Sequence, residues 1–273
     1  MKKNKSVLLS TPYLIWMVAF TLIPLGVVAY YALTDPATGA FSLTNLQNLG
    51  MYWGVLWQSI LYSLVSAFIC LLLGYPVAYY IAHRSELVQK LLYMLVMLPM
   101  CMSFLLRTLA WVGLLQDMGI INNILVALGF DRVRMIRTPG AVVLGMVYNY
   151  LPYMILPLYA TIVKIDGRLI EAAEDLGCTP VQVFTKVTLP LSMPGILSGI
   201  TMVFVPAVST FYISQKLGGT DTVLIGDVIE RLFKQGDNAN MGAALSLLLM
   251  LLVFVCTGIM NRFGGNEEGG VLV

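Results

Sequence analysis

Charge is scarce in this sequence. Asp, Glu, Lys and Arg make up 11% of its 273 residues, less than half of the roughly 25% usual in soluble domains. Hydrophobic residues reach 59%, and that balance argues against a soluble fold. The 16 Lys and Arg nearly cancel the 14 Asp and Glu, leaving a net charge of +2. No concentrated basic surface exists for nucleic acid, so no nucleic-acid partner is expected. Histidine occurs once, and Cys70, Cys101, Cys178 and Cys256 are scattered without the paired spacing of a zinc or thiol-redox motif. Neither a metal site nor a cofactor is expected. There is no Gly-Lys pair anywhere, so the chain lacks the ending of a phosphate-binding loop and any energy from ATP must come from another subunit. No catalytic cluster can be assembled either, and an enzyme is not expected.

What is abundant is long apolar runs. They cover Val7 to Leu33, Ser59 to Ile81, Leu91 to Leu115, Ala141 to Val163, Leu191 to Ile213 and Met241 to Met260. Each is long enough for a helix to cross a bilayer, whereas a spanning strand would need only about 10 residues and would alternate. The expectation is an all-α integral membrane protein, residues 1–273 forming one domain with six spans. The first run is too long for the core of a cleaved signal and is read as an uncleaved span. Placing the N-terminus inside puts nine Lys and Arg in the cytoplasm and six outside, the direction set by the positive-inside rule. An even span count returns the C-terminus to the cytoplasm, where the glycine-rich stretch Gly264 to Gly270 is expected to be disordered.

None of the spans contains Asp or Glu. Ion-coupled carriers and cation channels commonly place such groups at mid-membrane, so both classes are disfavoured. Pro24, Pro76, Pro99, Pro152, Pro157, Pro194 and Pro206 interrupt the runs, as suits kinked helices around a moving pathway. Arg107 is the one permanent charge inside a span. It is expected to pair with helix-end carbonyls or with another subunit.

The most patterned stretch is the cytoplasmic loop 164–190, KIDGRLIEAAEDLGCTPVQVFTKVTLP. Asp166 can cap a short helix whose apolar side carries Leu169, Ile170, Ala173 and Leu176, and Gly177 suits a left-handed stop. Thr179, Pro180 and Gln182 then make a capping box for a second helix. Two helices thus meet at a glycine corner. The first carries Glu171, Glu174 and Asp175, which face the wrong way electrostatically for an anionic bilayer surface and suit docking to a partner protein.

Glu171-Ala172-Ala173, then three residues, Gly177, nine residues and Val187-Thr188-Leu189-Pro190 resembles the EAA loop of ABC importer permeases. The spacing matches throughout, with Val187 where isoleucine is usual. The resemblance implies the type I ABC importer permease fold in a bacterial cell membrane. It also implies that Glu171, Ala172, Ala173, Asp175, Leu176 and Gly177 form the element that couples to a cytoplasmic ATP-binding subunit, present in two copies. A second homologous permease and an external substrate-binding protein are implied with it. The runs Leu72 to Ala82, Val147 to Ile162 and Phe211 to Phe233 further resemble the permeases of spermidine/putrescine importers. A polyamine cargo is therefore expected, another small organic solute being the alternative, and a membrane scaffold that recruits a cytoplasmic protein a third reading.

For a polyamine path the chain offers aromatic faces and small polar groups rather than carboxylates. Trp111, Tyr148, Asn149, Tyr153, Ser209 and Tyr212 are the candidates. On the external segment 218–233, Thr220, Asp221 and Asp227 alternate with Val223, Leu224, Ile225 and Val228. The polar set is expected to face the binding protein while the apolar set packs on the spans.

Overall fold

The computed structural model describes residue 13 and residues 15–35, 38–220, 222–234 and 238–264. The N-terminal lysines, Asp221 and most of the glycine-rich tail lie outside the described residues. The described chain is helical apart from an isolated bridge between Thr34 and Phe41. In order it forms α1 (Ile15–Ala32), α2 (Trp53–Ala82), α3 (Glu86–Met97), α4 (Phe104–Leu115), α5 (Ile120–Ala127) and α6 (Pro139–Ile162). It continues as α7 (Gly167–Asp175), α8 (Pro180–Leu191), α9 (Met193–Val208), α10 (Tyr212–Leu217), α11 (Ile225–Lys234) and α12 (Ala239–Gly264). Among the described residues five helical stretches are long and apolar enough to cross a membrane, and α8 with α9, bent by 62° between them, makes a sixth if taken as one span.

The prolines act differently by position. Pro76, Pro152, Pro157 and Pro206 remain inside α2, α6 and α9. Pro99 does not: the expected span Leu91 to Leu115 is broken into α3, a 3₁₀ turn over Leu98–Cys101, and α4, with Met102 and Ser103 in extended conformations. Pro99 supplies no N–H to continue the ladder, and the chain restarts with Arg107 N–H bonded to the Ser103 carbonyl at 3.1 Å. The long apolar stretch at this point is Phe104–Ala127, which continues through α5. The expected run Leu191 to Ile213 is likewise divided, α9 ending at Val208 and α10 starting at Tyr212.

By contacts the chain divides into two compact units, residues 1–54 with 228–252, and residues 55–227 with 253–273. In the smaller unit, Ala32 at the end of α1 packs on Ala243 and Ala244 of α12. Asn240 and Asn45 both donate to the Thr34 carbonyl, at 2.7 and 2.9 Å, closing the end of α1. The rest of α1 is largely exposed, as befits a helix whose solvent is lipid.

The larger unit is built on α6. Val142, Met146, Met154 and Leu158 are fully buried, with Cys70 and Ala78 from α2, Val203 and Ala207 from α9, and Ile213 and Leu217 from α10 in the same core. Helix α9 lies unusually close to α6. A Cβ at Gly195 would fall 2.6 Å from Thr161 Oγ1 and 2.9 Å from the Pro157 carbonyl, and one at Gly199 would fall 2.6 Å from Met154 Sδ. In a membrane, where hydrophobicity gives helices little reason to associate, such small-residue seams supply the contact.

Candidate functional site

The corner at Gly177 forms from purely local chemistry. Asp166 accepts the Arg168 N–H at 3.0 Å and starts α7. The helix is closed by two bonds, Gly177 N–H to the Glu174 carbonyl at 2.8 Å and Cys178 N–H to the Ala173 carbonyl at 3.1 Å. That pair is the Schellman arrangement, which needs a left-handed residue after the helix, and Gly177 has φ +81°. Thr179 and Gln182 then exchange their capping-box bonds, with Pro180 at the first position of α8.

Where the corner is anchored was not visible in its own residues. Tyr75 of α2 shares a 2.8 Å hydrogen bond with Ser192, at the bend between α8 and α9, and its ring meets Phe184 edge-on at 5.6 Å. Tyr79 contacts the same Phe184. Thr188, in the same turn, is buried with Oγ1 unpartnered among the described residues, and lines a cavity of about 140 Å³ with His83, Ile162 and Ile170. The apolar side of α7 is left largely uncovered. Leu169 is 49% and Leu176 86% exposed, with Ile170 and Ala173 only half-buried. A nine-residue helix lying beneath the bundle has too few neighbours to cover them. Glu171, Ala172, Glu174 and Asp175 are exposed beside them, so the corner presents leucine and carboxylate together.

The candidate path residues fall around α4, α6 and the start of α10. Trp111 meets Tyr148 edge-on at 5.4 Å, Tyr150 meets Tyr153 at 6.3 Å, and Phe104 meets Tyr212 at 6.1 Å. Lys216, one turn on in α10, holds its ammonium 5.7 Å from the Tyr212 ring. Ser209 is exposed at the break between α9 and α10, its hydroxyl bonded back to the Val205 carbonyl. Asn149 stands apart: it is 1% exposed, and its Nδ2 donates to the Gly145 carbonyl at 2.8 Å. Arg107 is 6% exposed, and Nε and Nη1 have no acceptor among the described residues. Among the described residues neither of these two atoms reaches a helix-end carbonyl.

On segment 218–233, Thr222, Leu224, Ile225 and Val228 are buried, while Thr220 is exposed and Val223 half-buried. Asp227 is half-buried, and Oδ2 accepts the Leu224 N–H at 2.8 Å. It closes the start of α11 as the acid half of a capping box does, a role that its spacing from Leu224 signals. The next N–H, of Ile225, is taken by Ser59 Oγ of α2 at 2.7 Å. Ser59, Ser63 and Ser66 are all buried on one face of α2, a stripe detectable from its helical spacing alone. Among the described residues no group of His, Cys, Asp and Glu is arranged to hold a metal.

A fold of broken apolar helices with a capped corner at Gly177 is that of a type I ABC importer permease, and the chain belongs to the family of binding-protein-dependent transport system inner membrane components, whose model matches residues 71–264. It is thus a transport component rather than an enzyme. Among individual relatives, it is 40% identical to the spermidine/putrescine transport system permease protein PotB of Haemophilus influenzae, over 90% of this chain and 92% of that one. It is 37% identical to PotB of Escherichia coli, over 87% and 90%. The inner membrane ABC transporter permease protein YdcU of E. coli is 27% identical over 90% and 84%. Among solved structures, a bacterial alginate ABC transporter in complex with an alginate pentasaccharide-bound periplasmic protein superposes with a TM-score of 0.76, at 21% identity over 96% of this chain and 95% of that one. The MetNI methionine ABC transporter gives 0.60, at 20% identity over 79% and 96%.

Proposed function

We propose that the chain is one of two homologous permease subunits forming the pore of an ATP-driven importer whose cargo is a polyamine such as spermidine or putrescine. An external binding protein delivers the cargo, and two cytoplasmic ATP-binding subunits drive the cycle. Both termini of the chain lie in the cytoplasm. The observation that carries the reading is the corner at Gly177. A helix capped at both ends, with Leu169, Leu176 and Glu171 exposed, is preformed for a groove on a partner rather than for its own bundle. Glu171, Ala172, Ala173, Asp175, Leu176 and Gly177 make the ATPase contact. Small residues allow close approach, and the acids meet basic groups.

Force applied to α7 passes through α8 to the Ser192 bend and to Tyr75 of α2. Cargo travels past Trp111, Tyr148, Tyr153, Ser209 and Tyr212, whose rings suit ammonium groups; Asn149 lies behind them. The surface around Thr220, Asp221 and Asp227 receives the binding protein. The polyamine assignment is supported by the 40% identity to a spermidine/putrescine permease over nearly the whole chain.

The test is ATP-dependent spermidine uptake into vesicles containing the complex purified with its genomic neighbours. Uptake that requires ATP and is competed by putrescine is expected. Uptake by a preparation free of ATPase would refute the importer reading. Competition by an anionic or neutral solute, with none by spermidine or putrescine, would refute the cargo alone.

A further inference from the structure

Arg107 sits in the first turn of α4 with Nε and Nη1 unpartnered among the described residues. The helix has two faces. Leu105, Leu106 and Leu109 are exposed, whereas Phe104, Arg107, Thr108, Trp111 and Leu115 recur at helical spacing and turn inward. A guanidinium on the outward face could snorkel toward water; on the inward face it is sealed. Two ring pairs flank it, Phe104 with Tyr212 and Trp111 with Tyr148. Tyr150 is near enough to feel its charge, yet donates its own hydroxyl to the Pro206 carbonyl at 3.3 Å. Thr108 is bonded back to the Phe104 carbonyl. Nε and Nη1 of Arg107 are buried with no acceptor among the described residues. A guanidinium does not shed its proton in a protein, so it cannot escape by becoming neutral. A fixed cation with two buried donors unsatisfied is costly, and among the described residues of this chain neither Nε nor Nη1 finds an acceptor.

We infer that the acceptor of these two donors is a carboxylate carried by the second permease subunit, reaching Arg107 past the partly open rings of Trp111 and Tyr148. The inference rests on the two-permease reading above. The planar fork of donors matches a carboxylate with two parallel bonds. No Asp or Glu lies in any apolar run of this chain, so its own spans cannot provide one. A polyamine carries only ammonium groups, which a guanidinium repels, so the cargo of the proposed function cannot provide one either. Tyr148, 37% exposed, and the half-buried Trp111 leave an approach one turn beyond Arg107.

Arg107→Met tests the pairing by the sign of its effect. In the full chain purified alone, an apolar side chain of similar length replaces an unsatisfied charge and the thermal midpoint rises. In the complete complex the same change strands the opposing carboxylate and the midpoint falls. A rise in both, a fall in both, or no change in either overturns the inference. Charge exchange then locates the partner. Arg107→Glu is expected to reduce uptake by at least about tenfold, and one intramembrane acid of the second permease, changed to arginine, is expected to restore it to within about threefold. If no acid restores uptake, the inference fails. Cargo chemistry is read separately on the unmodified complex. Uptake of a carboxylate-bearing solute instead of spermidine, with Arg107→Gln raising its KM, would make cargo the acceptor and overturn the polyamine reading together with this one. Normal spermidine uptake without the sign reversal would overturn this inference alone.

Discussion

Replacement of Gly177 isolates the backbone contribution to coupling. Its φ of +81° is required by the two bonds that close α7, at 2.8 and 3.1 Å. A Cβ built there meets nothing within 4 Å, so any side chain fits the space within this chain and only the backbone objects. An L-residue held in the left-handed region costs about 1–2 kcal/mol, a factor of roughly 5–30 in the share of molecules that keep the corner. Asn tolerates that region better than other residues with a side chain, and a β-branched residue tolerates it worst. In the reconstituted complex, Gly177→Val is therefore expected to cut cargo-stimulated ATP hydrolysis by up to about that 5–30-fold factor, with Gly177→Asn between it and the unchanged protein. Basal hydrolysis by the ATPase subunits should hold. Equal stimulation in all three would refute the requirement for a left-handed corner. A loss for Asn as deep as for Val would show that the exposed side chain, rather than the backbone, disturbs docking.

Glu171→Lys reverses an exposed docking charge and should abolish stimulation while leaving the thermal midpoint of the chain unchanged; full stimulation would remove the residue from the contact. Gly195→Ala should destabilise the larger unit by about 1–3 kcal/mol through overpacking, because the backbone carbonyl of Pro157 cannot rotate away. Gly113→Ala, with no atom within 4 Å, should not, and circular dichroism melts of the two would separate them. Asp227→Lys should lower stability by about 1 kcal/mol through loss of the cap at α11 as well as weakening binding-protein stimulation; a purely functional loss with an unchanged melt would mean that the Leu224 bond carries no load. Trp111→Ala and Tyr148→Ala should impair spermidine uptake more than Leu105→Ala or Leu106→Ala, and equal effects would take the rings off the path.

The capped corner at Gly177 was readable in the sequence because everything that builds it is local. Asp166, Gly177, Thr179, Pro180 and Gln182 act on backbone groups within a few residues of themselves. The helical breaks were not, because proline has the same covalent effect at 76, 99, 152 and 206. Whether a helix survives it depends on what surrounds the freed carbonyl, and hydropathy carries no such information. For the same reason Leu91 to Leu115 read as one span when the helix stops at Pro99. Tyr75 and Ser192, 117 positions apart, left no mark in the spacing of either segment. Exposure could not be read from apolarity at Leu169 and Leu176 either. A helical stripe says which side is greasy, and only the number of neighbours says whether that side is covered. Arg107 was conspicuous as a lone charge, but its lack of an acceptor is a property of three dimensions.

The glycine seam between α6 and α9 constrains how a power stroke can travel. With Gly195 against Thr161 and Pro157, and Gly199 against Met154, neither helix can slide along the other without driving side chains through backbone. The two are in effect welded into a single beam. Under the proposed function, a push delivered at α7 finds no slippage along that seam, and the nearest joint is the 62° elbow by Ser192. That elbow is pinned to α2 by Tyr75. On that reading the protein is stiff along the seam and jointed at the elbow, and a serine and a tyrosine set where the joint is held.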